Sequence, residues 1–151
     1  MEVATICEVL VKVRIENLED VFRAERGELA GDQVRVVEVE DALVDTGATM
    51  LGLPKRYIAQ LGLRKTRTRQ ARTAAGLREF GVYGSVQLTV QGRDAQVQAF
   101  ELPDENPVLI GRVPLELLDF VVDPVGQRLI GNPEHGGEQM FEVFSFFPPN
   151  G

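Results

Sequence analysis

Asp45 closes a short apolar run in ALVDTGATMLGLP (residues 42–54) and is followed at once by Thr46, Gly47 and Ala48. A carboxylate placed there can serve in two ways. In a tight turn, Asp accepts backbone N–H bonds and the glycine supplies φ > 0. In catalysis, a carboxylate can take a proton from water or hold one for a carbonyl oxygen, provided a second carboxylate stands beside it. Two like charges at that distance cannot both ionise, so such a pair shares one proton and divides into an acid and a base. For the bare tripeptide the turn is the simpler reading, and the surroundings have to decide.

Little other chemistry is on offer. Cys7 is the only cysteine, so no intrachain disulfide can form. With His135 the only histidine, the usual Cys/His zinc sets cannot be assembled from one chain. Cys–His or Ser–His–Asp catalysis would hang on His135 alone, and that residue lies in the Gly-rich GNPEHGG, which reads as a loop. No metal and no organic cofactor are expected. The formal net charge of −7 and pI of about 4.8 repel nucleic acid and anionic lipid, so neither is an expected partner. No apolar run is long enough to span a membrane. The start MEVATICEVLVKV has no basic residues at its head and is broken by Glu8, so it reads as a strand rather than a secretory signal. The totals, 151 residues with 44% hydrophobic and 26% charged, suit one cytoplasmic, reduced domain with a core that needs no staple.

The elements that would position Asp45 follow from patterning. Val3, Thr5, Cys7, Val9, Val11, Val13 and Ile15 alternate with polar residues, which predicts a long strand with one buried face. Residues 17–33 read as a polar surface loop with a helical turn near 18–26. Alternation resumes over 34–39, and 42–44 form a short apolar strand that ends at Asp45. Pro54 and Gly62 bracket a short helix in PKRYIAQLGL. RKTRTRQART (64–73) is polar at both parities, then AAG leads to LREFGVY, so two extended arms around a small tip predict a projecting hairpin. Residues 86–90, QGRD and 95–100 predict the next hairpin. PVLIGRVPLELLDF then repeats the order apolar strand, glycine, short helix seen around Asp45, which suggests a pseudo-twofold arrangement. Residues 120–123, PVGQ and 128–130 close a last hairpin. The tail carries Phe141, Phe144, Phe146 and Phe147, too apolar to be left in water without a partner. The fold class is all-β with one or two short helices.

With these elements in order, the chain resembles the retroviral-type (retropepsin-like) aspartic proteases, including their bacterial single-domain members. ALVDTGAT (42–49), the hairpin tip RTAAGLR (72–78) and VLIGRVPLELLDF (108–120) carry the likeness, which covers about residues 34–133. The domain would be 1–133, with 134–151 an aromatic tail at a dimer interface. The resemblance implies a closed β barrel, an obligate homodimer with one catalytic aspartate from each chain, and a peptide or protein substrate. Only one DTG is present, and Val108-Leu109-Ile110-Gly111 has Ile110 where a second aspartate would be. One chain therefore holds half a site, and twofold symmetry would bring Asp45 to its copy.

The resemblance also implies roles for the neighbours. Thr46 would hydrogen-bond across the dimer axis. Gly47 would admit a substrate backbone, and Ala48 replaces the serine usual in two-lobed relatives. Thr73, Ala74, Ala75 and Gly76 would form a flap tip closing over the peptide. Gly111 and Arg112 match the Gly-Arg pair beside the catalytic loop, although Gly111 reads equally well as a packing glycine before a helix. The family often places a carboxylate four residues after the aspartate to pair with that arginine. Thr49 stands there instead, so Arg112 is expected to find another partner. Arg64, Lys65, Arg67, Arg69 and Arg72 read as a solvated flap arm rather than a nucleic-acid stripe, since no aromatics interleave them. They would favour acidic peptides. A second reading stays open, in which the same fold binds peptides or dimerises without cutting.

Overall fold

The computed structural model describes residues 8–147 and 149. Strand β1 (Leu10–Asn17) buries Val11, Val13 and Ile15 on one side and turns Lys12 and Arg14 outward, as the alternation predicts. The expected start of this strand, from Val3 to Cys7, lies outside the described residues. Asn17 then caps α1 (Leu18–Glu25). Its side chain accepts from the Asp20 amide at 3.0 Å and donates to the Leu61 carbonyl at 2.8 Å, which satisfies an orphan donor at the helix start. Asp20, only 2% exposed, receives both Arg35 Nε at 2.8 Å and Arg35 Nη2 at 3.0 Å. The hydrogen-bonded guanidinium holds the Asp20 carboxyl below the usual carboxylate range, against the opposing effect of burial.

Strand β2 (Val36–Val44) is continuous where the sequence suggested two short pieces. After the Asp45 turn comes β3 (Leu51–Pro54), a strand that patterning did not reveal. Helix α2 (Lys55–Leu61) ends at Gly62, whose φ of 63° gives the left-handed stop expected there. The next strands are β4 (Arg64–Thr73), β5 (Gly76–Val90), a single strand in place of the two expected, and β6 (Arg93–Leu102). The chain continues through β7 (Leu109–Ile110), α3 (Arg112–Leu118), β8 (Phe120–Asp123) and β9 (Arg128–Gly131).

Strands β1, β2, β7, β3, β6 and β5 hydrogen-bond in that order. Residues 14–17 of β1 pair back with residues 86–89 of β5, so six strands close into a barrel. Strand β4 pairs with the first part of β5 and extends that hairpin away from the ring, while β8 and β9 form a separate two-stranded sheet.

Directly paired residues share a face, so the registers define two sides. Val44, Ile110, Leu51, Ala99 and Tyr83 make one row across five strands. Ile110, Leu51 and Ala99 are fully buried and the other two pack against the core, so this is the inner side. The neighbouring row, Leu43, Leu109, Gly52, Phe100 and Val82, points the opposite way and reaches Arg67 on β4. There Gly52 and Val82 are buried, Leu43, Leu109 and Phe100 are half-buried, and Arg67 is exposed. Phe80 meets Phe100 edge to face, with centroids 5.3 Å apart. A half-buried apolar floor thus runs from the end of β2 to the projecting hairpin.

Candidate active site

The ladder of β2 continues one residue past the strand. The Asp45 amide donates to the Ile110 carbonyl at 2.9 Å, and alternation carries Asp45 to the Leu43 side, over the apolar floor rather than into the core. Its carboxylate Oδ1 accepts the Gly47 amide at 2.9 Å, and its carbonyl accepts the Ala48 amide at 3.1 Å. The turn reading is therefore correct locally, and it occupies one carboxylate oxygen. Asp45 Oδ2 makes no hydrogen bond among the described residues. Asp45 is half-buried, while Thr46 and Gly47 are exposed.

The loop is tied down from the other half of the chain. The Gly111 amide donates to Met50 O at 3.1 Å, Arg112 to Ala48 O at 2.9 Å and Val113 to Thr49 O at 2.9 Å. A Cβ on Gly111 would fall 2.6 Å from Ala48 O and 2.8 Å from Met50 N, and closer still to Met50 O, so the loop can approach only a glycine here. The packing role of Gly111 is real. Arg112 Nη1 donates to Thr46 O at 3.1 Å and Nη2 to Thr49 Oγ1 at 3.2 Å. Arg112 thus has another partner in the Thr46 carbonyl, and Thr49 adds a contact through its hydroxyl. In the ladder Ile110 pairs with Val44, and the second half-unit sets no carboxylate beside Asp45.

The projecting hairpin has the small tip that its sequence requires. Thr73 Oγ1 donates to Gly76 O at 2.7 Å and accepts the Ala75 amide at 3.1 Å, and Gly76 takes φ 99°. Thr73, Ala74, Ala75 and Gly76 are exposed, as is β4 from end to end. No hydrogen bond among the described residues joins this tip to the Asp45 loop. A family model described as "gag-polyprotein putative aspartyl protease" matches residues 27–116, which take in β2, the Asp45 loop, the hairpin, β7 and the start of α3. The chain belongs to this retroviral-type aspartyl protease family. A comparison with curated proteins gave no match.

In this retropepsin-like chain the Asp45 carboxylate stands open on one side. A surface pocket of about 550 Å³ lies against β1 and has Leu10, Val13 and Leu129 in its wall, and Asp45 is not part of its lining. No helix among the described residues is long and apolar enough to cross a membrane.

One cluster escaped sequence reasoning. Asp119, buried just after α3, accepts His135 Nδ1 at 2.6 Å, Asn132 Nδ2 at 3.3 Å and the Met140 amide at 3.0 Å. His135 Nε2 lies 2.9 Å from Glu142 Oε2. A neutral imidazole has a single N–H, so two carboxylate partners favour the charged ring. Hydrogen bonds to Glu142 and then Asp119 raise the His135 pKa above its ordinary value, and the bond from His135 lowers that of Asp119. The cluster fastens residues 132–142 to the end of α3. Beyond it, Phe141, Phe144, Phe146 and Phe147 are 75% to 79% exposed, with no cover from the described residues.

Proposed function

We propose that the chain is an aspartic endopeptidase that works as a homodimer, with Asp45 from each of two copies holding one water between them. What supports this most is a single observation: each chain presents one half-buried Asp45 with a free carboxylate oxygen, and Gly111, the residue just past β7 beside it, brings no second carboxylate. A chain with a single DTG aspartate needs a second chain to pair that aspartate with its like, and twofold symmetry delivers the matching group. The ionised Asp45 would take a proton from the water as it attacks the scissile carbonyl, while the protonated copy donates a hydrogen bond to the carbonyl oxygen. The proton then passes to the departing amine, and the pair again shares one proton.

The neighbours take supporting roles in this reading. Thr46, exposed beside Asp45, would meet its copy across the axis and lock the two loops together. Gly47 and Ala48 leave room for the substrate backbone. Gly111 and Arg112 hold the loop from behind. The tip at Thr73, Ala74, Ala75 and Gly76 would act as a flap that excludes water from the bound peptide. The exposed phenylalanines of residues 134–151 would be covered by the second copy, and no metal or organic cofactor takes part. The test is cleavage of a peptide library by the wild type and by Asp45→Asn, which keeps the side-chain shape and removes the titrating group. The proposal expects cleavage by the first and none by the second. Equal cleavage by both would refute it.

A further inference from the structure

Six of the 16 Lys and Arg residues lie between positions 64 and 80, against one of the 23 acidic residues, Glu79. The hairpin register sorts these charges by side. Arg67 pairs with Val82, Arg69 with Phe80 and Arg78 with Ala71. Val82 belongs to the row that runs through Phe100, Gly52 and Leu109 to Leu43, so Arg67, Arg69 and Arg78 stand on the side that carries Asp45. Lys65, paired with Tyr83, and Arg72, paired with Leu77, stand on the other side, as does Glu79 opposite Gln70.

The three guanidinium groups on the Asp45 side have no anionic partner among the described residues. Arg14, Arg35 and Arg56 each meet a carboxylate, but no ion pair among the described residues involves Arg67, Arg69 or Arg78. Arg78 donates only to the carbonyl of its neighbour Leu77, at 2.9 Å. Like charges gathered over a half-buried apolar floor repel one another, and an anionic ligand relieves that repulsion while gaining charge-assisted hydrogen bonds.

We propose that the sheet side carrying Asp45 selects peptides bearing Asp or Glu close to the bond presented to Asp45. Acidic side chains meet Arg67, Arg69 and Arg78, and apolar neighbours lie on the floor between Leu43 and Val82. The fate of the peptide rests on the endopeptidase reading, whereas its selection by charge does not. The same guanidinium groups could grip phosphodiesters, but the chain carries a net charge of −7. The two rings on this side, Phe80 and Phe100, are also engaged with each other rather than offered to bases.

The experiment measures binding to the Asp45→Asn protein, by fluorescence anisotropy, of a Leu/Ala/Phe peptide with Glu on either side of its centre and of the same peptide with Gln. The Glu peptide should bind tighter by about fivefold per acidic residue, an advantage that shrinks as salt is added. Added substitutions Arg69→Gln and Arg78→Gln, which leave Arg67 alone on that side, should cut the advantage severalfold, whereas Lys65→Gln with Arg72→Gln, an equal loss of charge on the other side, should keep it. Equal affinities, or an advantage that the first pair of changes leaves undiminished, would overturn the proposal. So would a single-stranded oligonucleotide that binds more tightly than the Glu peptide and is lost with that same pair. Cleavage of the two peptides by the wild type is scored separately. A binding preference with no cleavage defeats the endopeptidase reading alone, and cleavage with no preference defeats the charge selection alone.

Discussion

Asp45 shows why a motif of three residues says so little by itself. Its Oδ1 does what any turn aspartate does, accepting the Gly47 amide, and only its position on the Leu43 side of the sheet distinguishes it from a structural residue. Gly111 carries more of the local constraint than the sequence suggests. Three backbone atoms of Met50 and Ala48 occupy the space a side chain would need, and backbone cannot move aside as a rotamer can. Gly111→Ala should therefore cost about 3 kcal/mol or more, from overpacking against a fixed loop. A lowered midpoint in thermal or urea unfolding would show it, and an unchanged midpoint would mean that the loop yields easily. Thr49 teaches a related lesson. The guanidinium of Arg112 needs an acceptor at that position rather than a charge, and a hydroxyl at 3.2 Å is one.

Some elements were plain in the sequence and others could not be. The exposure of β4 followed from its polar residues at both parities, and the end of α2 from Gly62, because each signal is local. Strand β3 carries no such signal. LGLP is four residues long, buried throughout, and defined by its pairing with β6 and β7, which are far away in sequence. The apolar floor is likewise a product of registers. Asp119, His135 and Glu142 have no spacing that announces them, since the β8–β9 hairpin, which pairs Phe120 with Gly131, brings the first two together. That cluster makes a pH-dependent clasp. With the His135 pKa raised, its stabilising contribution is complete below the ordinary histidine value of 6.5 and is lost as pH rises through the folded value. With the Asp119 pKa lowered, its contribution holds above the ordinary 3.8 and is lost as pH falls through the folded value. The amide of Met140, bonded to Asp119, should thus lose exchange protection as pH rises above the ordinary histidine value and through the raised folded one, after correction for intrinsic rates. His135→Ala should remove both the protection and its pH dependence. Unaltered protection across that range would show that the imidazole does not govern the tail.

The molecule as a whole is a barrel closed by β1 against β5, yet it leaves four phenylalanines in water beyond its last hairpin. Exposed apolar surface concentrated in one short stretch marks an interface. Removing residues 138–151 should raise the dimer dissociation constant, read by sedimentation velocity over a range of protein concentrations, and an unchanged constant would place the interface elsewhere. A site shared between two copies would impose a sharper requirement. If each active centre takes one Asp45 from each of two chains, a copy carrying Asp45→Asn poisons every wild-type chain it joins. The direct measurement is peptide cleavage by wild type and Asp45→Asn mixed at constant total protein and left to exchange subunits. The account predicts activity that falls with the square of the wild-type fraction, whereas activity in simple proportion to that fraction would show that one chain suffices and contradict it.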